Sequence, residues 1–248
     1  MKIATWNVNG IRARQIDFCA GLERDRPDIV CLQELKAERA QVPPQCGHDD
    51  YHVYWHGLRA YSGVSLHIHK NLLDAAPVFS HPEFDMESRI VQAELGNLVV
   101  ASVYVPNGGK DYEAKLAFMH RLIKWAKAVH RSGRELILCG DMNITGSDLD
   151  VHPRERRPGI IGQRPEEREL MDELLGSQLI DVGRALDPDN PALFTWWPPW
   201  RNMRQRNIGW RLDYILATPP TAARATACAV LADFGTSDHA PVVMTVNS

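Results

Sequence analysis

Four carboxylates, Glu34, Asp141, Asp213 and Asp238, each stand at one end of a short apolar run. The amides Asn7, Asn9 and Asn143 and the phenol Tyr104 hold similar positions. One carboxylate at a strand end means little, and several describe only a wet rim unless the strands converge. In a layered sandwich they can converge, and binding sites gather at such edges. Carboxylates and amide oxygens are hard donors that suit Mg²⁺ or Mn²⁺ better than Zn²⁺, which prefers Cys and His. Clustered carboxylates repel one another without a cation, so a bound metal makes physical sense of the group.

His239 follows Asp238 directly. An imidazole held by a separate carboxylate is oriented and made more basic, and it can bind or protonate a phosphoryl oxygen. An oxygen-ligated metal, a carboxylate-held His and a water-positioning Asp/Asn pair together describe metal-assisted phosphodiester hydrolysis.

The elements that must position these groups are short. Strands are expected at "KIATWNV", "DIVCLQE", "YHVYWH", "GVSLHIH", "RIVQAEL", "LVVASVYV", "ELILCGD", "RLDYILA" and "APVVMTV", which are rich in Val, Ile and Leu. Gly96-Asn97 between two of them signals a tight hairpin. Apolar residues at helical spacing from Leu116 to Val129, with Gly133 beyond, predict a helix over 111–132. Pro165 followed by Glu166 and Glu167 opens a second over 165–175, and a third is expected over 11–24. Nine strands with few helices suit a layered α/β sandwich better than a strict βαβ repeat. No Pro/Gly/Ser-rich linker divides the chain, so residues 1–248 read as a single domain.

Composition narrows the class. No apolar stretch is long enough for a membrane span, and "MKIATWNVNG" turns polar too soon for a signal peptide. Five cysteines without CxxC spacing, with Cys31 and Cys139 inside apolar runs, imply buried reduced thiols and a cytoplasmic location. A net charge of −3 says little about partners. Its distribution says more: Arg154, Arg156, Arg157 and Arg164 form one cluster and Arg201, Arg204, Arg206 and Arg211 another, suggesting a face for anions. The second cluster lies in "FTWWPPWRNMRQRNIGWRLDY", which holds four of the seven tryptophans, so this segment is either core or substrate reader. Among the histidines, His48, His52 and His56 have a spacing that would suit a metal on a helix, but their segment reads as strand and turn. His67 and His69 are expected on a partly exposed strand face.

In order along the chain, "TWNVNGIRAR", "DIVCLQE", "SGVSL", "YVPNG", "GDMNI", "GWRLDYIL" and "SDHAP" resemble the motifs of the exonuclease III family of DNA-repair enzymes, which cut DNA at abasic sites and trim 3′ ends. The resemblance covers nearly the whole chain. It implies a four-layered α/β sandwich, two packed mixed β-sheets flanked by helices, forming one endonuclease/exonuclease/phosphatase domain with its site at one edge of the sheets. It implies Glu34 as a ligand of Mg²⁺ (with Mn²⁺ as a substitute), supported by Asn7, Asn9 and Asp238. Asp141 would position or deprotonate the attacking water, Asn143 would contact the phosphate, Tyr104 would contact it or help the leaving group, and Asp213 would hold His239 on a phosphate oxygen.

By the same resemblance, Trp196, Trp210 and Leu212 would line a pocket for a flipped-out baseless sugar, with Trp197 in the core. Trp200 and the arginines after it, Arg204 included, would lie in a loop pressed into the duplex. Lys110 is the basic candidate in the shortened segment after "YVPNGG", and "RERRPGIIGQR" falls where relatives place a loop over the DNA backbone. The expected substrate is duplex DNA with abasic sites or 3′ ends, met by a monomer without membrane contact. Two alternatives differ in class: a catalytically weak nucleic-acid-binding regulator, which should have lost its carboxylates, and a hydrolase of a non-nucleic-acid phosphate ester, which should lack interleaved Trp and Arg.

Overall fold

The computed structural model describes residues 1–58 and 60–247. Strand candidates with both faces apolar need cover on both sides, and they receive it from two packed sheets with helices outside. The first sheet contains β1 (Lys2–Asn7), β2 (Ile29–Gln33), β3 (Tyr51–Leu58), β4 (Tyr61–His69), β11 (Ala225–Val230) and β12 (Val242–Val246), in the order β11-β12-β1-β2-β4-β3. The second contains β5 (Val78–Ser80), β6 (Ile90–Leu95), β7 (Leu98–Tyr104), β8 (Glu135–Asp141), β9 (Ile180–Asp181) and β10 (Asp213–Ala217), in the order β5-β6-β7-β8-β10-β9. Each sheet has one parallel pair, β1 with β2 and β7 with β8, among antiparallel neighbours.

Alternation along the strands builds the layers. In β2, Ile29 and Cys31 face the inter-sheet core while Val30 and Leu32 face the outer layer under α1 (Gln15–Asp25). In β8, Ile137 and Cys139 face inward while Leu136 and Leu138 meet α2 (Tyr112–Arg131) and α3 (Pro165–Leu175). The sandwich expected from the motifs is therefore the fold observed.

The Asp111 carboxylate caps α2 by accepting the Ala114 N–H at 2.9 Å, and Pro165 opens α3 as expected. The first helix begins at Gln15 rather than at Ile11. The Gly10 and Ile11 N–H groups instead donate to Glu34 and Leu35 carbonyls, tying the chain to the loop after β2 before a helical turn can form. Short β5, β9 and the alanine-rich β11 were not expected, because too little side chain alternates along them.

The partly exposed face expected for His67 and His69 is also corrected. β4 lies between β2 and β3, and Phe18, Tyr51 and Trp55 close edge-on around His67, leaving both histidines buried. Burial pushes the His67 imidazole down to about 3, so it is held neutral. His48, His52 and His56 do not converge on a helical face, since His52 and His56 lie in β3.

Candidate active site

Strand register assembles the site. Asp141 is the last residue of β8 and pairs in register with Tyr104 at the end of β7 and with Asp213 at the start of antiparallel β10. Across the sandwich Asn7 ends β1, Glu34 follows β2, and Asp238 and His239 precede β12, which runs antiparallel to β1. Both sheets thus deliver polar ends to one edge. Asn9, Glu34, Lys36 and Asn143 all adopt left-handed backbone conformations there, with φ of 44°, 53°, 49° and 51°. Such positions carry strain that persists where neighbours hold them, often at functional sites.

The Asn7 amide joins the two sheets, donating 3.0 Å to Glu34 Oε1 and 2.9 Å to Asp141 Oδ2. Asn9 Nδ2 donates to Asp238 Oδ1 at 2.7 Å, and the Trp196 indole donates to Asp238 Oδ2 at 3.0 Å. Asp141 Oδ1 accepts the Asn143 backbone N–H at 2.8 Å, while the Asn143 side chain donates to the Val105 carbonyl. His239 Nδ1 lies 2.8 Å from Asp213 Oδ2, and its Nε2 is 3.9 Å from Asp141 Oδ2. Thr195 Oγ1 accepts the Leu212 and Asp213 N–H groups, fixing the start of β10.

Burial and mutual repulsion set these carboxyls apart. Burial pushes Asp141 up to about 7; Asp213 and Glu34 add to this and His239 opposes it. Burial also resists charging of His239, but the Asp213 carboxylate outweighs it and, with Asp141 and Asp238, raises the imidazole to about 10. Glu34 is held low despite burial, through Asn7 and Lys36, and Asp238 likewise through His239 and Asn9. Burial, with Glu34 and Asp141 nearby, raises the Tyr104 phenol, so it is a proton donor and not a phenolate.

The donor set passes the test for a hard divalent cation. Among the described residues, Glu34, Asp141 and His239 bring ligand atoms within 4.8 Å of one another, and Asp213 Oδ1 is buried without a hydrogen-bond partner. Among the described residues, direct ion pairs reach these four carboxylates only from Lys36 and His239, which leaves charge for a metal to balance. Lys36 Nζ lies 2.8 Å from Glu34 Oε2 and 2.5 Å from Asn9 Oδ1, a role its position in the sequence did not reveal. Lys115 was also missed, because it lies on the apolar face of α2. It is fully buried, paired with Glu167 at 2.5 Å, and donates to the carbonyl of Asn143 at 2.8 Å.

One pocket holds the cluster. Its lining includes Glu34, Tyr104, Asn143, Asp238 and His239, with Trp196, Trp210 and Leu212 as an apolar wall. Trp196 and Trp210 meet edge to face at 5.5 Å and pair through backbone hydrogen bonds. A Cβ on Gly209 would lie 2.4 Å from the Trp196 carbonyl, so only glycine permits this pairing. Trp197 points the other way and is buried, as its alternation suggested. A wider groove, sharing Asn9 and Asp238 with the pocket, runs along Pro198–Gln205 and Thr236. Trp200 stands in it with 57 % of its surface exposed.

Two residues expected to contact DNA, Lys110 and Arg204, do not line the pocket that holds the cluster. Lys110 is exposed before α2. Arg204 is turned inward: its guanidinium donates to the carbonyls of Ala232, Phe234 and Ser237 at 2.7, 2.9 and 2.5 Å and lies over the Trp197 ring. With three of its five N–H donors so engaged, Arg204 braces the loop carrying Asp238.

A two-sheet sandwich with a carboxylate-rich edge, an Asp-held His and a Trp-walled pocket defines the metal-assisted phosphoesterase class. The Endonuclease/Exonuclease/phosphatase family model matches residues 4–239. The chain is 32% identical to an exodeoxyribonuclease of Bacillus subtilis (strain 168) over the full length of both. Among solved structures it is similar to an AP endonuclease from Archaeoglobus fulgidus, at 30% identity and TM-score 0.90 with both chains fully covered. It is also similar to the 3′ phosphatase NExo from Neisseria bound to product DNA hairpin, at 29% identity, TM-score 0.88 and full coverage of both. The chain belongs to the endonuclease/exonuclease/phosphatase family, and these relatives bear out its likeness to the exonuclease III-type abasic-site endonucleases.

Proposed function

We propose that this chain is a Mg²⁺-dependent DNA-repair phosphodiesterase that incises duplex DNA 5′ to abasic sites and trims 3′ ends. The observation that carries the reading is the Asp213–His239 pair beside the Asp141–Asn7–Glu34 cluster, with Glu34 and His239 lining a pocket walled by Trp196, Trp210 and Leu212. Relatives named as exodeoxyribonuclease and AP endonuclease, and one solved with a product DNA hairpin, support DNA as the substrate.

Glu34 and Asp238 would offer oxygens to the ion, with the Asn7 and Asn9 amides holding those carboxylates in place. Bound there, Mg²⁺ (or Mn²⁺ in its place) would polarise the scissile phosphate and stabilise its developing charge. In this reading Asp141 positions a water and takes its proton, for which a carboxyl near 7 is well matched. Protonated His239, held by Asp213, neutralises a non-bridging phosphate oxygen. Asn143 binds the same phosphate, and the Tyr104 hydroxyl donates toward it. The water oxygen bonds to phosphorus as the bond from phosphorus to the upstream 3′ oxygen breaks; that oxygen takes a proton from solvent, leaving a 3′ hydroxyl and a 5′ phosphate. Trp196, Trp210 and Leu212 take the baseless sugar, which an apolar wall accepts and a base-bearing nucleotide overfills. Trp200 enters the duplex. A monomer in the cytoplasm, acting as one unit over residues 1–248, completes the proposal.

The deciding experiment incubates abasic, nicked and blunt-ended duplexes with purified protein in Mg²⁺ and in chelator. Metal-dependent nicking of the abasic duplex is the expected result; a folded protein that leaves it intact overturns the reading.

A further inference from the structure

Away from this site, the geometry points to a second metal site of different chemistry: His56, His81 and Asp85 form a two-imidazole, one-carboxylate cluster suited to Zn²⁺ or a similar borderline divalent ion. It would clip together the edges of the two sheets. His56 lies on β3, the last strand of the first sheet, and His81 follows β5, the last strand of the second. The two edges already touch, since Tyr54 of β3 stacks on Phe79 of β5 at 5.7 Å. One ligand atom from each of His56, His81 and Asp85 lies within 4.8 Å of the others.

The carboxylate is preorganised. The Asp85 side chain is wholly buried; Oδ1 accepts N–H bonds from Arg89 at 2.9 Å and Glu87 at 3.3 Å, and Oδ2 accepts one from Ile90 at 3.3 Å. His56 Nε2 lies 2.7 Å from the same Oδ2. These contacts explain His56 and Asp85 as a capped turn, but they do not involve His81. Its exposed ring lies nearly parallel over His56, at 4.4 Å between centroids and 17° between planes. A metal lies in the plane of each ring that binds it, so His81 must swing about its side-chain torsions, which its exposure permits. Two nitrogens and one anchored oxygen favour Zn²⁺, Ni²⁺ or Cu²⁺ over Mg²⁺. None of the three residues lines the catalytic pocket.

The test measures Zn²⁺ binding to the intact reduced protein by competition with a chromophoric chelator, in saturating Mg²⁺. The arms are wild type, His81→Ala, His56→Ala and Glu34→Gln. One Zn²⁺ equivalent is expected in wild type and in Glu34→Gln, weakened by at least about tenfold in His81→Ala. Co²⁺ should give ligand-field absorption in wild type that His81→Ala loses. His81 is exposed, so its variant keeps the fold even if His56→Ala does not. A wild type that binds no Zn²⁺, or a His81→Ala protein that binds it undiminished, overturns the site and leaves a hydrogen-bonded turn only.

Discussion

Arg211 and Asp213, two residues apart, open onto two buried charge clusters built on opposite terms. Arg211 donates to Asp150 at 2.6 Å and to both oxygens of Asp181, and Arg184 joins Asp150 at 2.7 Å. Two carboxylates meet two guanidiniums there, and Asp150 is held below the usual carboxylate range because Arg211 and Arg184 outweigh its burial. Around Asp213, four carboxylates form direct ion pairs with only one lysine and one histidine among the described residues, and burial pushes Asp141 up to about 7. The same functional group, equally buried, moves in opposite directions according to whether its charge is matched. A matched cluster stabilises the fold; an unmatched one holds free energy for a ligand and marks a functional site.

The sharpest way to break this contrast is to neutralise one member of each cluster. Asp141→Asn should lower single-turnover cleavage by about 10²–10⁴-fold while melting no lower than wild type, since it removes a repelling carboxylate. A variant that unfolds instead would place Asp141 with the structural cluster. Arg211→Met should strand two carboxylates and cost about 3–5 kcal/mol in denaturant unfolding, and Arg211→Lys should recover little of it because the fork to Asp181 is bidentate. Full rescue by lysine would mean that charge alone matters there.

Acid should separate the clusters by sign. Asp150, depressed on folding, contributes stability above the ordinary carboxylate range and loses it as pH falls through its folded value. Asp141, raised on folding, does the reverse: its contribution is complete below about 4 and lost as pH rises through about 7. Unfolding curves of metal-free wild type and Asp141→Asn should therefore diverge between these values, the variant gaining toward pH 8. Parallel curves would remove the contrast.

Smaller effects concern the tryptophan–arginine segment. Trp200→Ala should weaken abasic-duplex binding by about 1–3 kcal/mol, or shift the balance toward exonuclease products, with the chemistry at Asp141 intact; unchanged affinity and products would make Trp200 scaffold. Arg204→Ala should cost about 1–3 kcal/mol of stability by leaving three partly buried carbonyls without this partner. An affinity loss larger than the stability loss would return Arg204 to the DNA face.

Much of the site was legible because each strand ends on its functional residue: "GDMN" closes β8, and "SDHAP" leads into β12. Many short apolar runs with few helices between them also announced a layered sandwich. Arg204 and Trp200 were indistinguishable as sequence, since both read as loop residues in a basic, aromatic stretch. Only packing against Trp197 and the 232–237 carbonyls separated them. Lys36 and Lys115 were hidden for a related reason. A lysine on a loop or a helix face reads as solvated until the carboxylate beside it arrives from elsewhere in the chain.

Local order along the chain determined which residues are strands, which polar groups stand at strand ends, and which chemistry those groups suit, because periodicity and donor hardness are properties of the sequence itself. Tertiary structure decided which charges remain unmatched. That depends on register across β7, β8 and β10, on the Asn7 amide spanning two sheets, and on guanidiniums brought to Asp150 from 34 and 61 residues away. Electrostatic energy depends on distances in space, and those distances exist only after the sheets have packed.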